Sequence, residues 1–334
     1  MKTLFYIFLS ICIFAPHLPA QKGVKEGLKT IDAASAETYI EFLASDAMQG
    51  RKAGENSSFV ASEYLKSVFR DMGLKPLFDD SYFMPFEAYS LKWGEHTRYT
   101  VDPERVDAYK KSDEYIKLGM RNVCGYIEGE KADEYVVVGA HFDHEGVNGS
   151  LSGDTIFNGA DDNASGVSAV LQIAKAFKAS GKKPLRTIIF ALWDGEEFGL
   201  LGSQYFVNTW SNLAQVKSYL NFDMIGRITQ KDKPQHVEYT YSASHPIFHE
   251  WLENNIEKHR LGISPVYIPT ITQYGNSDYA PFIKKNIPVM WFMTGLHPDY
   301  HQPSDETDKI AWGLLTEITK AGYLLTWQMA NNSF

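Results

Sequence analysis

The chain has 334 residues, 44% of them hydrophobic and 14% aromatic, and carries a formal net charge of −9. That is ample apolar material for one large core and excludes a disordered chain. No block of basic residues is present, which argues against a nucleic-acid partner, and the mild acidity speaks only to solubility.

Residues 1–20 read as a signal peptide. Lys2 gives a positive start, Leu4 to Ala15 a short apolar run, and Leu18-Pro19-Ala20 a small-residue end suited to cleavage before Gln21. The run is too short to span a bilayer comfortably, and Ile11 is too bulky to precede a lipidated Cys12. The expectation is therefore an exported chain, periplasmic or secreted, with no stable membrane anchor. Cleavage leaves Cys124 as the one cysteine, so no intrachain disulfide can form. It lies in a strand-like segment and reads as a buried small hydrophobe.

The predicted elements follow in chain order. Residues 34–75 read as two amphipathic helices joined by a loop around Gly50 and Gly54. Phe59, Ala61, Tyr64, Leu65, Val68 and Phe69 mark the second, and Met72-Gly73 its stop. Residues 80–126 read as irregular edge strands. From about residue 133 strands and helices alternate. Tyr135–Ala140 is a continuous apolar run, as in a parallel strand buried on both faces, and Ala164–Ala179 is a helix. Strands are predicted at Thr187–Trp193, Ser218–Phe222, Val237–Ser242 and Pro288–Met293, and helices at Leu200–Asn208, Ile247–Lys258 and Ile310–Met329. This alternation predicts an α/β fold with three layers, α/β/α, around a mostly parallel, mixed central sheet. With no repeat or low-complexity linker, residues 21–334 read as a single domain.

Five segments place a carboxylate or a histidine just after an apolar run or in the loop beyond it. They are Val136-Val137-Val138-Gly139-Ala140-His141-Phe142-Asp143, Gly159-Ala160-Asp161-Asp162-Asn163-Ala164-Ser165-Gly166, Trp193-Asp194-Gly195-Glu196-Glu197, Leu220-Asn221-Phe222-Asp223-Met224 and Pro298-Asp299-Tyr300-His301. In an open α/β sheet the site lies beyond the carboxyl ends of the strands, which is where these residues fall. Zinc takes imidazole nitrogen and carboxylate oxygen, and two ions roughly 3.5–4 Å apart need a bridging ligand. His141 and Asp223 suit one ion, Glu197 and His301 the other, and a carboxylate of the 159–166 loop suits the bridge, where Asp161 competes with Asp162. A water completes the bridge, activated by the metal. Glu196 would be the general base, Asp143 would orient the His141 imidazole, and Tyr300 would donate to the developing oxyanion. His144 and His297 read as structural or loop groups beside the ligands, Asp278 as a loop or capping carboxylate, and Trp251, Tyr274, Trp291 and Phe292 as core. Met224 has the better claim to line the pocket.

With these motifs the chain resembles the co-catalytic zinc aminopeptidases, secreted bacterial leucyl-type enzymes whose superfamily also holds glutamate carboxypeptidases and glutaminyl cyclases. The resemblance covers roughly residues 35–330 and includes Glu196-Glu197-Phe198-Gly199-Leu200-Leu201-Gly202-Ser203 and Tyr300-His301-Gln302-Pro303-Ser304-Asp305. It implies two zinc ions held by His141, Asp162, Glu197, Asp223 and His301, with Glu196 as base, and a cis peptide bond at Asp162–Asn163. It implies hydrolysis of N-terminal peptide bonds in peptides with a free N-terminus. The alternatives are a single-zinc glutaminyl cyclase, which Trp193-Asp194-Gly195 mildly favours, and a carboxypeptidase or dipeptidase. No inserted protease-associated domain is expected, residues 87–118 being too few. Oligomeric state has no signature in the sequence.

Overall fold

The computed structural model describes residues 18–91, 98–112, 114–271 and 275–334, with side chains from residue 22 onward. Most of the leader reading, with Lys2 and Cys12, and Tyr274 lie outside the described residues. Among the described residues no helix is long and apolar enough to cross a membrane.

Helices α1 (Leu18–Leu28), α2 (Ala33–Leu43) and α3 (Asn56–Asp71) open the fold. Asp32 caps α2 by accepting from Ser35 N at 2.7 Å. Strands β1 (Lys75–Pro76) and β2 (Phe83–Leu91), helix α4 (Pro103–Lys110) and strand β3 (Tyr115–Ile127) follow. The alternating part comprises β4 (Lys131–His141), the short hairpin β5 (Gly146–Val147) and β6 (Ile156–Phe157), α5 (Gly166–Ser180), β7 (Arg186–Trp193), α6 (Leu201–Thr209) and β8 (Val216–Phe222). It continues through β9 (His236–Ser242), α7 (Ile247–His259), β10 (Ser264–Thr270), α8 (Tyr279–Lys284), β11 (Val289–Met293) and α9 (Trp312–Asn331).

The main sheet runs β1-β3-β7-β4-β8-β11-β9-β10, with β2 also paired to β3. Its centre, β7-β4-β8-β11, is parallel throughout. The flanking pairs β3–β7 and β11–β9 are antiparallel, so the sheet is mixed. Side chains alternate between two apolar layers with a period of two. Val136, Val138 and Ala140 of β4, Ile188, Phe190 and Leu192 of β7, and Leu220 and Phe222 of β8 face the layer holding α2, α5, α7 and α9. Val137, Ile189, Ala191, Trp193 and Tyr219 face the smaller layer, with Phe206 of α6 and Phe282 of α8. Each Val, Leu, Ile or Phe among them, taken fully out of water, contributes roughly 1.5–3 kcal/mol.

Several expectations change. β3 is an interior strand, held by β1 and β2 on one side and β7 on the other, so among the described strands β1 and β2 border that end of the sheet. Helix α4 was not foreseen because it buries no residue and so has no apolar stripe, although Asp102 caps it and Pro103 opens it. Strand β10 was obscured by Pro265 and Pro269, which an edge position tolerates. α8 has six residues, too few for a helical period to show. Cys124 is buried in β3 as expected, and burial pushes its thiol up.

The loop between α2 and α3 is a tight turn in which Gln49, Gly50 and Arg51 all have positive φ. A Cβ on Gly50 would sit 2.4 Å from Gly146 O and 2.6 Å from Phe157 O, against the β5–β6 hairpin. Gly50→Ala is expected to cost about 1–3 kcal/mol, read as a lower urea midpoint, because the turn cannot retreat from two backbone carbonyls. An unchanged midpoint would show that the hairpin gives way freely.

Candidate metal centre

Because β7, β4, β8 and β11 run parallel, their carboxyl ends open at one edge, and each delivers part of the site. His141 is the last residue of β4. Glu196 and Glu197 lie in the turn after β7, Asp223 directly follows β8, and Tyr300 and His301 sit in the loop after β11. Asp162 comes from the irregular turn Ala160–Ser165 before α5, and its peptide bond to Asn163 is cis.

The five predicted ligands converge. Asp162 presents Oδ1 to His141 Nε2 at 3.3 Å and Oδ2 to His301 Nε2 at 3.2 Å. Asp223 Oδ1 lies 3.5 Å from His141 Nε2, and Glu197 Oε2 lies 3.2 Å from His301 Nε2. His141, Glu196 and Asp223 offer donor atoms within 4.8 Å of one another, as do His141, Asp162 and Glu197. Met224, Asn276, Trp291, Met293, Leu296 and Tyr300 line the cavity beside them. Trp291, expected in the core, therefore belongs to both core and cavity wall. Met224 lines the cavity as expected. The Tyr300 ring lies 3.8 Å from the His301 ring, centroid to centroid.

One predicted role takes a different form. The His141 Nδ1 contact is with the backbone carbonyl of Asp143 at 3.2 Å, and the Asp143 carboxylate is farther, at 3.7 Å. That carboxylate instead accepts from Glu196 N at 3.0 Å and Glu197 N at 3.3 Å, so it anchors the turn that carries both glutamates. Asp161 is a loop residue, accepting from Gly226 N at 2.6 Å and facing His297 Nε2 at 3.1 Å. Asp278 sits at the start of α8 without capping it and accepts from Ser203 Oγ at 2.5 Å.

Several contributors had a lesser role, or none, in the sequence analysis. His144 is buried with Nδ1 2.8 Å from Glu197 Oε1, closer to the ligands than a wall residue would be. Glu145 Oε1 stands 3.2 Å from His301 Nδ1; its place directly after the His141–His144 motif was the available signal. Ser277 Oγ donates to Asp223 Oδ2 at 2.5 Å. Asp305 Oδ2 accepts from the amides of Asp161 and Asp162, both at 3.0 Å, and so holds the Asp162 turn. Arg51, fully buried, donates to the carbonyls of Phe142, Leu43, Asn158 and Gly159 at 2.8, 2.5, 2.6 and 3.1 Å. Burial pulls its guanidinium down to about 10, against the opposing pull of Asp162 and Asp143.

The electrostatics suit cations. Burial pushes Glu196 well above the usual carboxylate range, with Glu197 and Asp223 adding to the push and His141 opposing it. Burial also raises Asp223, again against His141. At His301 burial works downward, but Asp162 and Glu197 outweigh it and lift the imidazole to about 10. His301 Nε2 is buried and makes no hydrogen bond, although two carboxylates stand 3.2 Å away. A nitrogen and several carboxylate oxygens directed at one space, with more acid than the histidines neutralise, fit a pair of divalent ions.

Residues 122–325 match the model of peptidase family M28. The chain belongs to that family. Among curated relatives of this M28 member, a glutamate carboxypeptidase 2 homolog of Caenorhabditis elegans is 30% identical over 230 residues, covering 60% of this chain and 28% of the relative. Leupeptin-inactivating enzyme 1 of Streptomyces exfoliatus is 34% identical over 165 residues, 48% of this chain and 34% of that one. Leucine aminopeptidase 2 of Trichophyton rubrum is 33% identical over 177 residues, 52% of this chain and 33% of that one. The matches thus span about a third or less of these relatives' lengths. The fold is that of the zinc aminopeptidase BSAP from Bacillus subtilis, at a TM-score of 0.67 and 18% identity over 90% of this chain and 96% of that one. Legionella pneumophila LapA aminopeptidase also has a TM-score of 0.67, at 21% identity, covering 100% of this chain and 81% of that one.

Proposed function

We propose that this M28 member is an exported two-zinc aminopeptidase that hydrolyses the first peptide bond of peptides with a free N-terminus. The observation that carries the reading is Asp162, whose two oxygens face His141 and His301 separately, as a ligand shared by two ions would. One ion would be held by His141 and Asp223, the other by Glu197 and His301. Bound there, the pair supplies Lewis acidity and lowers the pKa of a water towards neutrality.

The chain's own groups do the rest. Glu196, beside His141 and Asp223, takes a proton from the attacking water on a carboxylate oxygen and returns it to the departing amine. Asp143 keeps that turn in place through the two glutamate amides. The Tyr300 hydroxyl donates to the carbonyl oxygen as it gains charge. Among the described residues lining the cavity there is no lysine or arginine, while four are carboxylates. Bound ions would offset those carboxylates, so the preference rests on the cation that is missing: this lining offers no lysine or arginine to pair with a substrate's terminal carboxylate, which favours an aminopeptidase over a carboxypeptidase. The apolar leader ending at Ala20 supports export.

Metal analysis and hydrolysis of aminoacyl-anilides on the same purified sample test the reading. About two zinc ions per chain and chelator-sensitive release are expected. Asp162→Ala should strip both ions, whereas His301→Ala should weaken one. One zinc with no release, and cyclisation of an N-terminal glutamine, would replace the reading with a cyclase. No anilide hydrolysis, with release of the C-terminal amino acid from an N-blocked dipeptide, would replace it with a carboxypeptidase.

A further inference from the structure

We propose that Trp193, Tyr219 and Asn221 form a one-way chain of hydrogen bonds that ends, through Ser277, on Asp223 and fixes how that carboxylate meets a cation. The proposal rests on Asp223 being a metal ligand. Trp193 Nε1 donates to Tyr219 Oη at 2.8 Å, Tyr219 Oη to Asn221 Oδ1 at 2.6 Å, and Asn221 Nδ2 to Ser277 Oγ at 2.8 Å. Ser277 Oγ then donates to Asp223 Oδ2 at 2.5 Å. Every member is buried.

The direction of the chain follows from its first member. An indole N–H can donate but never accept. Tyr219 therefore receives at its oxygen and must spend its single proton on Asn221. That contact turns the Asn221 oxygen towards the phenol, which leaves the amide N–H₂ for Ser277. Ser277, already accepting, directs its proton to Asp223. Asp223 Oδ2 is thus committed as an acceptor, while Oδ1 faces His141 Nε2 at 3.5 Å, on the side of the candidate metal. Without the indole at the far end the asparagine amide could reverse, and the serine proton would no longer be directed.

Two features show that the fold makes room for this chain. Tyr219 and Asn221 stand two residues apart on β8 and so share a face, pointing into the smaller apolar layer where Tyr219 stacks on Phe282 at 4.1 Å. The Trp193–Tyr219 bond also has to pass over β4, which lies between β7 and β8. It does so at Gly139, paired with Ala191 on one side and Asn221 on the other. A Cβ at Gly139 would lie 2.8 Å from both Trp193 Nε1 and Tyr219 Oη. This accounts for a glycine inside an otherwise Val-rich buried strand, where it is intrinsically unfavourable. Buried polar atoms in an apolar layer are costly unless each is paired, and here each link depends on the next.

Tyr219→Phe removes one oxygen and leaves the ring. Zinc affinity, by competition with a chromophoric chelator, is expected to fall about tenfold, with a shifted d–d spectrum in the cobalt(II)-loaded protein. Trp193→Phe should also lose affinity, by less than Tyr219→Phe, since without the indole the phenol can either donate to Asn221 or accept from it and only part of the population keeps the Asn221 orientation. Asn221→Ser should match Tyr219→Phe and serves in its place should that variant not fold. Wild-type zinc affinity and cobalt spectra in the folded Tyr219 or Asn221 variant would overturn the proposal, even with a lowered melting temperature, and reduce the chain to packing. Asp223→Ala keeps the two readings apart. If it binds zinc like the wild type, Asp223 is no ligand; if it loses affinity while Tyr219→Phe does not, the chain alone is refuted.

Discussion

Glu196→Gln lowers turnover of an aminoacyl-anilide by roughly 10²- to 10⁴-fold and leaves zinc content at the wild-type level. The expectation follows from shape and charge. Glutamine has the same size, so the turn stays anchored by the Glu196 and Glu197 amides on Asp143. It lacks the carboxylate that collects a proton, and among the described residues lining the cavity no other carboxylate is free to substitute. Asp162, Glu197 and Asp223 are engaged with His301, His144 and Ser277. Rate and metal content must be measured together, because Glu196 also shares donor distance with His141 and Asp223. Loss of metal along with rate would make Glu196 a ligand, and an unchanged rate would remove it from the mechanism.

Arg51→Met lowers the stability of the metal-free protein by on the order of 4 kcal/mol, read from urea unfolding. Among the described residues Arg51 meets no carboxylate directly. Its guanidinium holds four backbone carbonyls, contributed by the end of α2, the residue after His141, and Asn158 and Gly159 just before the Asp162 turn. Leaving a buried carbonyl unpaired costs about 1–3 kcal/mol, and Gly159 O alone retains a second donor, from Ala164 N at 3.3 Å. Removing the charge relieves part of its own burial cost, which keeps the expected loss below the full sum. Arg51→Lys should recover only a fraction, since an ammonium cannot match a planar fork reaching four acceptors. Full recovery by lysine would show that the positive charge near Asp162 and Asp143 matters and the fork does not. A methionine variant as stable as the wild type would dismiss both roles.

Much of this molecule was readable in its sequence, for identifiable reasons. The central strands announced themselves because a strand buried on both faces must be apolar at every position, as in Val136–Ala140 and Thr187–Trp193. The ligands were readable because each follows such a run, and parallel strands carry their next residues to one edge. Helix α5 was readable from its apolar face, whereas α4, with nothing buried, had no pattern to betray it. The same limit applied to Arg51, which sits in a turn among polar residues and whose burial depends on segments about a hundred positions away. Ser277 was equally silent, since a serine in a loop is ordinary until a partner stands beside it, and Glu145 had only its place after the His141–His144 motif to mark it.

Local composition along the chain therefore determined the alternation of strands and helices, the α/β class and the five ligand types, because burial imposes a period that each segment carries by itself. The tertiary structure alone decided the strand order β7-β4-β8-β11 and what followed from it. Order sets which side chains meet across distant segments, and no local period encodes it. That is why Gly139 lies under a Trp193–Tyr219 hydrogen bond, why the Asp143 carboxylate serves two glutamate amides, and why the two oxygens of Asp162 look towards different histidines.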